Sequence, residues 1–480
     1  MSRARKVKCD EEKPECQRCT STGRKCDGYQ QSLQWKPLSL PTRLPSRDFY
    51  NPTNSRALQF FHVSVAPRIC GEFSAYLWTN LILQLGDSQP SIRHSIIAMS
   101  LLYEDFVQCG QNQATSLAIR HYNVAIRQLM ATKDISVILV TCLLFLCIEM
   151  IQGSELQALM HLYAAFRILY TSSSLPQWVH EFLTPVYRRQ TLFALKFGLD
   201  VNAPEELWNM CTAKEIRTPQ DARLVTDTIY GRTFQLVSQG REFRRLPLHI
   251  RTPPRQLLHA QQRILDTIQQ CRGLIKSTWG RGSQPEDQRL NYLNSIITLE
   301  ASKVAALLAF ESSEMASDKF ADSYEMMLPA MEEVSGAMNR QCNSHRERIF
   351  MLETGYLIHV FWVILKCRTF GTRMRALALL RRNMSTRAGF WDVKRLLLIA
   401  RRVIELEHDL MLDHTDQVCN PSPWTDEPPP EDRRIRLLDC NFRAPSTENI
   451  VGERKNTLSR MVSFTLRDSE GKVYTVCEHI

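Results

Sequence analysis

The chain has 480 residues, 44% of them apolar and 23% charged, with a formal net charge of +10. That length leaves room for a large core and more than one domain, and the balance is that of a globular chain, which excludes a disordered or low-complexity polymer. The modest positive charge favours anionic partners but decides neither fold nor function.

Residues 1–30 are basic and hold four closely spaced cysteines. The charged start has no apolar stretch, so no secretory signal is expected. The fifteen cysteines should then be mostly reduced, with clustered ones pointing to metal and scattered ones to core packing. Residues 31–55 carry prolines at 37, 41, 45 and 52 and no hydrophobic period, which reads as a linker.

From about residue 56 the pattern becomes helical. Ile119, Tyr122, Ile126 and Leu129 recur at three- and four-residue steps, as do Leu293, Ile297, Ala301, Val304 and Leu308. Val393, Leu396, Ala400, Val403 and Leu410 mark a third stripe, and helices are also expected over 73–85, 92–107, 156–170, 183–198, 318–340 and 348–367. Loops are expected near 171–182, 200–212, 240–256 and 280–288. The run Ile135 to Ile151 is apolar but interrupted by Glu149 and shorter than the ~20 residues of a membrane span. Gly355 to Cys367 is shorter still, and both read as buried helices, with no membrane partner. The stretch NPSPWTDEPPPEDRR after Cys419 reads as a flexible connector, and MVSFTLRDSEGKVYTV alternates on both sides of a polar turn at Asp468–Gly471, the pattern of a short terminal hairpin. The expected fold is therefore mainly α: a small N-terminal metal module (1–30), a linker (31–55), an all-helical domain (56–415), and a connector and tail with a short β-hairpin (416–480).

The chemistry concentrates at the start. The spacing is Cys9-x6-Cys16-x2-Cys19-x6-Cys26. Thiolates bind zinc tetrahedrally, Cys-x2-Cys offers two ligands from one turn, and the metal supplies folding energy that so short a segment cannot draw from a core. Before Cys9 stands RARKVK, residues 3–8. A basic run alone can be a solvated tail or an import signal. Next to metal ligands its backbone would be held, and a fixed helix with Arg5 and Lys6 projecting can enter a major groove and meet guanine O6 and N7.

This segment resembles the fungal-type zinc binuclear cluster, Zn2Cys6, whose pattern is C-x2-C-x6-C-x(5–12)-C-x2-C-x(6–9)-C. RARKVKC, DEEKPE with Pro14, CQRC and TSTGRKC fit its last two-thirds. The resemblance implies that Cys9, Cys16, Cys19 and Cys26 bind zinc, with Cys9 and Cys16 serving one ion and Cys16, Cys19 and Cys26 the other. It implies that Arg5 and Lys6 read CGG triplets in double-stranded DNA, while Arg3, Lys8, Lys13, Arg18, Arg24 and Lys25 meet mainly phosphate. The complete family motif holds two Zn2+. Here the second cysteine would fall at position 2, which is Ser2, and the first would precede Met1, so at most one ion is well ligated in the chain as it stands. Two expectations follow: a start further upstream that restores all six ligands, or a four-ligand site with one zinc and weak or absent DNA binding.

SAYLWTNLILQL, SIRHSIIAMSLLYEDF, AIRHYNVAIRQL, ILVTCLLFLCIEMIQG and ALMHLYAAFRIL resemble the helical regulatory region that follows the zinc cluster in many such factors. The resemblance covers about 57–170 well and the rest only in texture. Among motifs, no G-x-G-x-x-G before a helix, Walker loop, G-x-S-x-G or H-E-x-x-H occurs, so no enzyme is expected. His408 and His414 with Cys419 read as a solvated helix end rather than a metal site. His359, Cys142 and Cys147 read as core, and the Met326, Met327 and Met331 cluster as core filler. His94, His121 and His161 fall on helices with no link to a nucleophile. The expected function is a nuclear, DNA-binding transcription regulator acting with co-regulators. A homodimer and a monomer both stay open, and the alternative is a regulatory scaffold that has lost DNA binding.

Overall fold

Asn51 accepts a hydrogen bond from the Thr53 amide at 3.0 Å, and Pro52 at the first helical position fixes the backbone dihedral that starts α1 (Pro52–Phe60). The computed structural model describes residues 51–69, 75–108, 114–172, 174–196, 216–244, 252–279, 285–341, 348–353, 355–420, 427–440, 461–468, 470 and 472–480, all within the unit Arg47–Ile480.

After α1 come α2 (Ile82–Ser88), α3 (Pro90–Val107), α4 (Ala114–Ala131), α5 (Ile135–Gln152), α6 (Glu155–Thr171) and α7 (Thr184–Lys196). The central element is α5. The Asp134 side chain accepts from the amides of Ser136 (2.9 Å) and Val137 (3.3 Å) at its start. At its end Gly153 adopts φ 76°, and the Ser154 amide returns to the Glu149 carbonyl at 2.8 Å, a left-handed stop that glycine reaches without steric cost. By length and composition α5 could cross a membrane, but 83% of it is buried inside the protein, packed on α3 and α6. Its hydrophobicity all round is that of a core helix.

A second helical layer holds α8 (Pro219–Gln239), α9 (Arg255–Trp279) and α10 (Glu286–Leu307). Thr218 and Asp221 cap α8 reciprocally, each side chain accepting from the other's amide. The expected stripe Leu293, Ile297, Ala301 and Val304 of α10 faces the main core, while Leu299 and Ala306 on its other side join Ile229, Leu236, Ile268 and Ile275 in a smaller, separate core.

The remaining elements are α11 (Ala321–Gln341), β1 (Ile349–Met351), α12 (Leu357–Lys366), α13 (Phe370–Arg382), β2 (Thr386–Ala388), β3 (Trp391–Asp392), α14 (Val393–His408), β4 (Leu437–Cys440), β5 (Met461–Arg467) and β6 (Val473–His479). The helix expected over 348–367 therefore opens as a strand. Ile349, Phe350 and Met351 pair in parallel with Thr386, Arg387 and Ala388, and β2 turns back antiparallel onto β3. This insert has a physical use: Arg387 donates from Nη1 to the carbonyls of Met150 (3.1 Å) and Ile151 (3.2 Å), so β2 serves the orphan C-terminal acceptors of α5.

Three loop expectations shift at their edges: a helical turn at Val179–Leu183 leads into α7, another occupies Arg241–Arg244, and α10 begins at Glu286. The loop expected at 200–212 lies outside the described residues. The terminal hairpin is present as β5 and β6, and β4 joins it as a third strand in the order β4-β5-β6. Val462, Phe464 and Leu466 of β5 enter the main core.

The stretch expected as a flexible connector is docked from residue 427 onward. Arg434 is fully buried; it meets Asp318 through Nη1 (2.8 Å) and Nη2 (2.7 Å) and the Pro429 carbonyl through Nε. Glu431 accepts from the amides of Glu314 and Met315, each at 3.0 Å.

Candidate metal and nucleic-acid site

The residues that carry the expected chemistry are Cys9, Cys16, Cys19 and Cys26 for metal and Arg3, Arg5, Lys6, Lys8, Lys13, Arg18, Arg24 and Lys25 for DNA, and all lie outside the described residues. Their donor set is chemically suited to zinc: four thiolates, with Cys16 and Cys19 two residues apart as a single turn requires. The neighbouring cations have no acidic residue among them before Cys9, so an approaching phosphate meets no opposing charge there.

In the helical body the candidates separate. Among the described residues no group of three or more His, Cys, Asp or Glu converges as a metal site. His408 corrects the solvated helix end: it is fully buried, with its ring 5.2 Å from that of Phe370. His414 and Cys419 are exposed. The difference arises because α14 ends at Asp409 in a left-handed conformation (φ 52°), which turns the chain only after His408 has entered the core. His359 is buried against the Tyr230 ring, as expected of a core histidine. Met327 and Met331 are buried, whereas Met326 is half exposed.

Cys142 and Cys147 are buried in α5; burial pushes the Cys142 thiol up to about 11 and that of Cys147 further. Thiols held protonated are poor nucleophiles and poor ligands.

Two polar clusters sit between α3, α4, α5 and α6. Nδ1 of His94 and Nδ1 of His121 are 2.8 Å apart. The Tyr122 hydroxyl donates to Glu149 Oε1 at 2.7 Å and lies 3.3 Å from His161 Nε2. Burial, then the carboxylate beside it, raises the Tyr122 hydroxyl, while burial lowers the His161 ring against the opposing pull of Glu149. Glu149, the lone charge in an apolar run, was the sequence signal for this cluster; its partners come from two other helices. A cavity of about 300 Å3 opens between α8 and α9, with Arg232, Gln235, Gln239, Arg263 and Thr267 on its walls.

Residues 3–36 match the fungal Zn(2)-Cys(6) binuclear cluster domain. The curated proteins that the chain resembles are named as transcription regulators. It is 32% identical over 236 residues to the aspercryptin biosynthesis cluster-specific transcription regulator atnN of Emericella nidulans, covering 40% of this chain and 37% of that protein. It is 24% identical over 213 residues to the transcription regulator lscL of Purpureocillium lilacinum, covering 36% of this chain and 49% of that protein. The matched part of the chain thus spans less than half the length of either relative. No solved structure matches the chain.

Proposed function

We propose that this zinc-cluster protein is a nuclear regulator of transcription that binds double-stranded DNA at CGG-containing sites. The observation that carries the reading is the match of residues 3–36 to the zinc-cluster domain, across the segment that holds all four clustered cysteines and the basic run. Zinc, when bound, would supply a rigid thiolate scaffold. Cys9, Cys16, Cys19 and Cys26 would hold it, Arg5 and Lys6 would reach base edges, and Arg3, Lys8, Lys13, Arg18, Arg24 and Lys25 would contact phosphates. The helical body would carry regulation through co-regulators. The relative named for a biosynthesis cluster supports genes of a biosynthetic cluster as targets.

The test is zinc content of the purified chain together with anisotropy titrations on CGG-containing and scrambled duplexes, before and after chelation. Zinc-dependent preference for the CGG duplex is expected. Affinity that chelators leave untouched would overturn the reading, and bound zinc without DNA affinity would favour a regulatory scaffold instead.

A further inference from the structure

The cavity of about 300 Å3 between α8 and α9 has a floor and walls of opposite character. Its floor is aliphatic: Ile229 and Leu236 of α8 and Ile264 of α9 are buried members of the smaller core. Its walls are polar and cationic. Arg232, Gln235 and Gln239 come from α8 and Arg263 from α9, and none of the lining residues is acidic. An apolar base with a few convergent polar groups is the usual makeup of a small-molecule site.

The polar groups are of two kinds. Gln235 and Gln239 stand one helical turn apart, so both lie on the same side of α8. A primary amide both donates and accepts, which matches a secondary amide in a ligand. Arg263 supplies a planar fork of donors suited to a carboxylate. Its neighbours are already engaged: Arg223 of α8, Arg272 of α9 and Arg289 of α10 each meet a carboxylate. The Arg263 guanidinium meets none among the described residues. The cavity runs along the C-terminal half of α8, where the negative end of the helix disfavours a dianion. A singly charged carboxylate therefore suits the site better than a phosphate.

We propose that this cavity binds an acylated amino acid. Its carboxylate sits on Arg263, its amide on Gln235 and Gln239, and its aliphatic groups on Ile229, Leu236 and Ile264. The helix rises on the order of 15 Å between positions 229 and 239, which is room for an acyl chain and an amino-acid side chain end to end. The site draws nothing from the first thirty residues, so it stands whether or not the chain binds DNA.

The test is calorimetric titration of the full chain with N-hexanoyl-leucine, its methyl ester and inorganic phosphate. N-hexanoyl-leucine should bind once per chain. The ester should bind about tenfold more weakly, because the charge-assisted hydrogen bond is lost, and phosphate should neither bind nor compete. Arg263→Gln should weaken N-hexanoyl-leucine about tenfold and leave thermal melting unchanged, since Arg263 is exposed and holds no carboxylate of the fold. Ala260→Phe, at a half-buried position on the wall, should weaken it further by filling the cavity, with circular dichroism checking the fold. No binding of N-hexanoyl-leucine at millimolar concentration, an ester that binds equally well, displacement by phosphate, or affinity that Arg263→Gln leaves untouched overturns the proposal.

Discussion

Nη2 of Arg368 lies 3.3 Å from Oε1 of Glu407, and neither side chain has any exposed surface. Arg373 meets the other carboxylate oxygen, and the Ile435 amide donates to Oε1 at 2.7 Å. One carboxylate on α14 thus ties α13 and the linker before it to the segment that leads into β4.

Burial alone would raise the Glu407 carboxyl, but Arg368, Arg373 and the Ile435 amide outweigh it and bring it from 4.5 down to about 2. The folded-state value lies below the unfolded one, so the stabilisation is present above the unfolded value and is lost as pH falls toward 2. The wild-type chain should lose on the order of 3 kcal/mol from this group across that window. Glu407→Gln should cost about 3–5 kcal/mol near neutrality, because buried Arg373 loses its counter-charge and buried Arg368 keeps only Glu314, and should flatten the acid limb. Urea unfolding across a pH series checks both. An acid limb unchanged in Glu407→Gln would mean that other carboxylates dominate.

Glycine substitutions should split by location. A Cβ on Gly240, at the end of α8, would sit 2.2 Å from the Ala309 carbonyl oxygen, a backbone atom that cannot swing away. Gly240→Ala should destabilise by about 1–3 kcal/mol. Gly273, inside α9, has nothing within 4 Å of its would-be Cβ, so Gly273→Ala should stabilise by about 0.5–1 kcal/mol. Thermal melts of the two variants should move in opposite directions.

Thiol labelling should follow burial. Cys419 and Cys477 are exposed, whereas Cys142 and Cys147 are buried with raised thiol values. Brief alkylation of the native protein, read by peptide mass spectrometry, should modify the first pair and spare the second. Equal modification of Cys142 would mean that α5 opens readily.

The proposed DNA contacts predict two distinct phenotypes. Arg5→Ala with Lys6→Ala should relax preference among duplexes. Lys13→Ala should weaken all duplexes alike and lower the salt slope by about one. Preference unchanged in the double variant would show that those two side chains do not read bases.

How much was legible follows from the range over which each feature is encoded. The stripe on α10 and the alternation in β5 and β6 repeat within a few residues, and both elements are where their periods put them. β1 and β2 were not legible. Each is three residues long, and their pairing partners lie 37 residues apart, too short and too distant for a period to register. Nothing nearby in the chain reveals that Glu407 and Asp318 will meet Arg368, Arg373 and Arg434 in the core.

The sequence by itself determined the mainly helical class and set four closely spaced cysteines and a basic run in the first thirty residues. Periodicity and ligand spacing are local properties, carried by residues a few positions apart. Only the tertiary structure decided which charges are buried and which carboxylate holds the C-terminal segment down. Those outcomes depend on side chains 34 to 116 residues apart being brought together, and the free energy of burying a charge is set by the partner it finds there.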